Sequence, residues 1–173
     1  MISRRRRGAR SALALALVGI AGGPLRPRAQ APAPAEHTPS GPPLGSSVFP
    51  ADTGRVRQAA FGSSRALVDT VTANLSRLEI HVTTLAPGRM VHPPHRHPHE
   101  ELMIVRTGTL EVCQNGATRR AGPGSVIFEA ANELHGLRNA GPDSATYVVI
   151  RLDPHDLRPA PPPPDHATCP SDN

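Results

Sequence analysis

The stretch Pro93–Gly108, PPHRHPHEELMIVRTG, changes character halfway along. With His92 just before it, its first half places four of the chain's nine histidines within eight residues. Two glutamates follow, Glu100 and Glu101, and then an apolar run. Side chains alternate along extended backbone, so His95 and His97 would share a face. Glu101 has the same parity, but a straight strand would carry it about 13 Å beyond His97. Metal ligands lie about 2 Å from their ion. For these groups to meet, the chain must bend, and Pro98, which cannot donate to a ladder, is the place for it. His92 and His99 read as loop residues. A further ligand would be remote in sequence. ELHGLRN offers His135, near Leu134 and Leu137, although a lone histidine there is more often a hydrogen-bonded structural residue.

Outward from this stretch the pattern has period two. In RLEIHVTTL, Leu78, Ile80 and Val82 point one way and Arg77, Glu79, His81 and Thr83 the other. ELMIVRTG, TLEVC, SVIFE and TYVVIRL read as further strands. Asn115-Gly116 is a strong hairpin signal, and GPG at 122–124 and AGPDS at 140–144 are turns. Only GRVRQAAFGSSRALVD suggests a short helix. Short strands at intervals of about ten residues predict an all-β sandwich or barrel.

The chain has 173 residues, 21 prolines, no lysine and a net charge of +5. That charge is not a nucleic-acid signal. Seven of the nineteen arginines lie in the first 28 residues, leaving twelve for the rest against fourteen acids. A duplex binder needs a basic face to displace counterions, and the remainder has no such surplus.

Residues 1–31 predict a signal peptide: a basic start, an apolar run Ala12–Ala21 too short to span a bilayer easily, and the small-x-small site Ala29-Gln30-Ala31. Export to the periplasm or medium follows, without stable membrane insertion. Residues 32–45 read as a Pro/Ala-rich linker, 46–153 as the folded domain, and 154–173 as a Pro-rich disordered tail. Export would place Cys113 and Cys169 in an oxidising compartment. The position of Cys169 in that tail argues against a disulfide, without excluding one.

Two segments together resemble the cupin family. Gly88, His95, His97, Glu101 and Gly108 match its first motif, with a spacer one residue longer than usual. Gly124, His135 and Asn139 match the second, with Ala130 where proline is usual and Asn132 where glycine is usual. The motifs span 88–108 and 124–139. The resemblance implies an all-β cupin double-stranded β-helix, a jelly-roll barrel, with His95, His97, Glu101 and His135 as ligands to one divalent metal ion. Three imidazoles and a carboxylate suit Mn, Fe, Ni, Cu, Co or Zn and do not choose among them.

By parity, Met103 and Val105 share Glu101's face and are candidates for the pocket wall. His81 joins them if its face looks inward, although the ordinary reading of so charged a face is solvent. Three functions remain open: a metal-dependent enzyme, an oxygenase or isomerase, acting on a small organic molecule; a non-catalytic module holding metal and a small ligand; and a barrel that its metal only staples. Small cupins commonly pair, so the resemblance also implies a homodimer.

Overall fold

A computed structural model describes residues 38–156 and 168–170. The signal-peptide reading, the start of the linker and most of the C-terminal tail lie outside them. Nine strands follow in order: β1 (Arg55–Ala59), β2 (Gly62–Thr70), β3 (Leu75–Leu85), β4 (Glu100–Thr107), β5 (Leu110–Gln114), β6 (Ala117–Ala121), β7 (Val126–Glu129), β8 (His135–Asn139) and β9 (Ala145–Pro154). They form a six-stranded sheet, β1-β2-β3-β9-β4-β7, and a three-stranded one, β6-β5-β8. The strand pairs are all antiparallel. Among the described residues, no helix is long and apolar enough to cross a membrane.

The alternation read from the sequence sets the inward faces. Leu85, Met103, Val105, Leu110, Val112, Ile127, Tyr147 and Val149 meet in one core. Val105, expected on the pocket wall, belongs to this core at 1% exposure. Met103, two residues before it on β4, lines the cavity, and Val105 does not. Asn115 (φ +48°) and Gly116 (φ +86°) make the two-residue turn between β5 and β6, both in the left-handed region that a type I′ turn requires.

GRVRQAAFGSSRALVD is not helical. It forms the β1–β2 hairpin, and β2 pairs along nearly its whole length with the long strand β3. That continuous ladder overrides a weak local preference for helix. The segment read as a free linker is also partly engaged: Pro39 is buried, and the Leu44 amide donates to the Val71 carbonyl. Cys113 and Cys169 form a disulfide. Cys113 points away from the core yet is only 5% exposed, because part of the tail, Thr168–Pro170, lies against β5 and the neighbouring turn. The pairing that the sequence leaves open is made because Thr168–Pro170 lies against the fold.

Gly108 joins β4 to β5 with φ +79°, and a Cβ there would sit 2.6 Å from Ala145 Cα. Left-handed strain and overpacking then add. Gly108→Ala is expected to lower stability by roughly 2–4 kcal/mol, read as a lower urea midpoint. Gly122→Ala, where a Cβ meets nothing within 4 Å, should stay within about 0.5 kcal/mol of the parent.

Candidate metal centre

The centre is built by backbone before side chains enter. His95 and His135 exchange two hydrogen bonds, His95 N to His135 O at 3.0 Å and His135 N to His95 O at 3.1 Å. They form an isolated antiparallel bridge between the 92–99 loop and β8. The Asn132 amide donates to the His97 carbonyl at 2.7 Å, and Arg96 Nη1 donates to Asn132 O at 2.9 Å. Gly136 lets the loop lie close, since a Cβ there would be 2.9 Å from Pro94. Asn132, standing where the second motif usually has glycine, takes φ +61°; asparagine tolerates this better than most residues. Asn139 closes the other end. Its Nδ2 donates to Leu85 O and Asp143 O, and its Oδ1 accepts from the Gly141 amide. The bend expected at Pro98 lies at Pro98–His99, and Glu101 enters as the second residue of β4.

His95, His97 and His135 converge, with their candidate ligand atoms within 4.8 Å of one another. For two of them the tautomer is set from behind. His97 Nδ1 contacts the His99 carbonyl and His135 Nδ1 the Glu133 carbonyl, each at 2.9 Å. With Nδ1–H donating, each Nε2 is left as a lone pair, and both Nε2 atoms are buried with no hydrogen-bond partner. Backbone contact at one imidazole nitrogen and an open lone pair at the other is the arrangement of a metal ligand. Glu101 Oε2 lies 3.7 Å from His97 Nε2, too long for a hydrogen bond and a natural separation for two groups sharing an ion. The donor set therefore fits a divalent metal.

A second trio, His97, His99 and Glu101, meets the same spacing. His99, read from sequence as a loop residue, is 4% exposed. Its ring stacks on His97 with centroids 3.7 Å apart and planes 6° from parallel. An imidazole lone pair lies in the ring plane, so two rings stacked this way cannot both aim at one ion about 2 Å off. The His95 and His135 rings cross His97 at 67° and 65° and suffer no such conflict. His99 Nε2 instead faces Glu101 Oε1 at 3.4 Å, and its Nδ1 is 4.0 Å from Asp153 Oδ1. It acts as a positioning residue for Glu101.

Charge divides these groups differently, setting His97 apart from His95 and His135. Burial, then repulsion from neighbouring histidines, pulls His95 down to about 3. Burial and His97 pull His135 down to about 4. Both are neutral at pH 7, as ligands must be. Burial also pulls His97 down, but Glu101 more than offsets it, so the ring is raised. Burial would raise Glu101, yet His97 and His99 hold it well below the usual carboxylate range.

His95, Glu101 and His135 open onto a cavity of about 90 Å³, smaller than the roughly 150 Å³ void that accepts benzene. His81, Thr83, Met103 and Tyr147 share its wall. The charged face of β3 thus looks inward at His81. His81 Nδ1 sits 3.2 Å from Glu79 Oε1, close enough for charge pairing but off the hydrogen-bond line. Glu79 is gripped by Arg77 at 3.0 Å, and Arg77 by both oxygens of Asp69. Tyr147 was not singled out from the sequence; burial raises its phenol, which stays protonated.

Glu129 was also missed, although its parity with Ile127 was legible. It faces Glu101 across the β4–β7 ladder, is 1% exposed, and accepts from Gln114 Nε2 at 2.8 Å. Burial, with a smaller push from Glu101, raises its pKa to about 7.

These features define an all-β sandwich with a cluster of histidines, His95, His97 and His135, that could hold a metal ion. Residues 81–151 match the family model described as "Cupin domain". Solved structures agree on the fold. The polyketide cyclase RemF from Streptomyces resistomycificus is 23% identical, with a TM-score of 0.51 over 67% of this chain and 83% of that one. KdgF from Halomonas sp. is 22% identical, with a TM-score of 0.51 over 61% and 94%. A Cupin 2 conserved barrel domain protein from Salinispora arenicola CNS-205 is 22% identical, with a TM-score of 0.50 over 64% and 91%. A search of curated proteins finds no significant match.

Two expectations follow. His97→Ala or His135→Ala should lose most bound metal, whereas His99→Ala should retain one equivalent with affinity weakened about 10- to 100-fold. Elemental mass spectrometry and competition with a chelating dye measure both. Glu129 tests the electrostatics. A carboxyl raised in the fold costs nothing below pH 4.5 and destabilises increasingly as pH rises through about 7. In metal-free protein, Glu129→Gln should therefore raise the melting temperature at pH 8 and change it little at pH 4.5.

Proposed function

We propose that the protein is an exported, homodimeric cupin that binds one divalent first-row metal ion through His95, His97, Glu101 and His135. In this reading it acts on a small oxygen-bearing organic molecule in the adjoining cavity. The observation that carries the reading is the pair of buried, unpartnered Nε2 atoms on His97 and His135, each fixed by a backbone carbonyl behind it. Export rests on the signal-peptide pattern of residues 1–31.

When bound, the metal would supply Lewis-acid or redox chemistry. This chain's own residues favour proton transfer, as in an isomerase or related enzyme, over a purely structural staple. His81 has Glu79 beside Nδ1, which favours a proton on Nδ1 and leaves Nε2 to accept one from a molecule in the cavity. The Asp69–Arg77–Glu79 chain holds that carboxylate in place. Tyr147 offers a phenol that remains a donor at neutral pH. Met103, Val149 and Leu137 supply apolar wall.

The test has two parts. Metal content is measured on protein purified from its own host without an affinity tag. About one equivalent of a single metal per chain is expected. Metal-loaded protein is then incubated in D₂O with a panel of small hydroxy- and keto-acids and sugars, and deuterium uptake is followed by NMR. His81→Ala should reduce exchange about 10²- to 10⁴-fold at unchanged metal content. A metal-free protein after reconstitution would overturn the metal assignment. Exchange indifferent to His81 would overturn its role, and unfolding on chelation without any turnover would favour the staple.

A further inference from the structure

Two stretches of chain lie side by side on the outer face of the β6-β5-β8 sheet. On β8, Gly136 has the ring of Pro94 against it: a Cβ there would sit 2.9 Å from Pro94 Cγ. Pro94 immediately precedes the candidate ligand His95. On β5, Cys113 is the cross-strand partner of Gly136 and carries the bond to Cys169. Cross-strand partners point to the same side of a sheet, so Thr168–Pro170 lies on the side that Pro94 occupies. Pro170 shares a small cleft with Gly136, Leu137 and Arg138. Thr168 reaches the β5–β6 turn, where its carbonyl oxygen would lie 3.3 Å from a Cβ on Gly116. That turn holds the residue before His135. The Asn115 amide donates to the Leu134 carbonyl at 2.8 Å, and the Leu134 amide donates to Asn115 Oδ1 at 3.1 Å. The tail segment therefore bears on both neighbours of His135, on Leu134 through the turn and on Gly136 through Cys113.

We propose that the Cys113–Cys169 bond is a thiol-operated brace for the metal centre, opened by a dithiol reductant. The inference rests on the metal reading above and adds what regulates retention of the ion. Among the described residues, no backbone hydrogen bond joins Thr168–Pro170 to the fold. The disulfide and the contacts beside it are what keep the segment in place, so cutting the bond releases it. The bond is also placed for attack from one side. Cys113 is 5% exposed, whereas Cys169 is half-buried between two exposed residues. An incoming thiolate forms a new S–S bond at Cys169 Sγ, the old bond breaks, and Cys113 leaves as a thiolate that takes a proton from water. The reductant's second thiolate then displaces Cys169, which is protonated in turn. The reductant ends as a disulfide, and the protein has gained two electrons and two protons as two thiols. An oxidising compartment keeps the brace closed. Once it opens, His135 keeps its backbone pairing but loses the packing behind the turn and beside Gly136. Removing support of this kind from a metal ligand weakens binding about 10- to 100-fold.

The experiment times zinc release to an excess of chelating dye from three forms of the full chain. These are the oxidised parent, the parent reduced with dithiothreitol that is removed before zinc is added, and Cys169→Ser. The reduced parent and Cys169→Ser should release zinc about 10- to 100-fold faster than the oxidised parent, with unchanged circular dichroism spectra. Reoxidation should restore slow release in the parent and not in Cys169→Ser. The reduced parent keeps every side chain, so the comparison stands if Cys169→Ser does not fold. In parallel, the oxidised parent is treated with glutathione and then with N-ethylmaleimide. Peptide mapping should find glutathione on Cys169 and maleimide on Cys113. Glutathione on Cys113 overturns the assigned direction of attack. Equal release rates from all forms overturn the brace and leave the metal reading intact. Loss of the folded spectrum on reduction also overturns it, because the bond would then serve the whole fold rather than the centre. A parent that retains no zinc, cobalt or manganese overturns both readings.

Discussion

Two backbone hydrogen bonds between His95 and His135 carry the architecture of the centre. They tie a proline-rich loop, with little regular structure of its own, to the start of β8. Everything else at the site depends on that tie. It brings two imidazoles side by side, places His97 where the Asn132 amide can reach its carbonyl, and leaves β4 to deliver Glu101 after the bend. Backbone pairing suits this task because it is insensitive to the side chains it positions. His97 and His135 are then free to turn one ring nitrogen to a carbonyl and keep the other open. The cost is local close packing, visible at Gly136, and a left-handed residue at Asn132.

The alternation of β3, β4 and β9 made the sandwich legible in the sequence, and Asn115-Gly116 made its tightest turn legible. The histidine spacing indicated which side chains to bring together. What the sequence hid are effects that depend on the assembled fold. β1 and β2 have little periodicity of their own, and their strand state comes from the ladder that β3 offers. Cys169 sits among prolines, and nothing local says that Thr168–Pro170 lies on β5. His99 looked like a loop residue because parity counts positions along a chain. Whether a ring turns inward after a proline bend is decided by stacking on His97 and by the carboxylates of Glu101 and Asp153.

Glu129 and Glu101 show how the fold separates two chemically identical groups on facing strands. Glu101 lies among histidines that stabilise its charge. Glu129 is buried, with a neutral amide as its partner and a carboxylate opposite. The first is suited to hold an ion and the second to hold a proton near neutrality. The difference is set by who faces whom across the β4–β7 ladder, which the sequence alone does not display.

The strand β3 connects the interior to the exterior. Its inward side carries Arg77, Glu79 and His81 before it turns apolar at Leu85, and its outward side carries Leu78, Ile80 and Val82. This inverts the usual order, in which charged positions face water. It is also why the His81 face read most simply as surface. The inversion has a physical cost on both sides. Charges placed inward must be paired, and they are, from Asp69 through Arg77 and Glu79 to His81. Apolar rows placed outward lose the hydrophobic gain unless something covers them. A polar interior beside the candidate centre and an apolar outer side are therefore one arrangement of the same strand seen from two sides. Strict alternation leaves no other choice: a strand that turns Arg77, Glu79 and His81 toward a cavity must carry Leu78, Ile80 and Val82 on its other side.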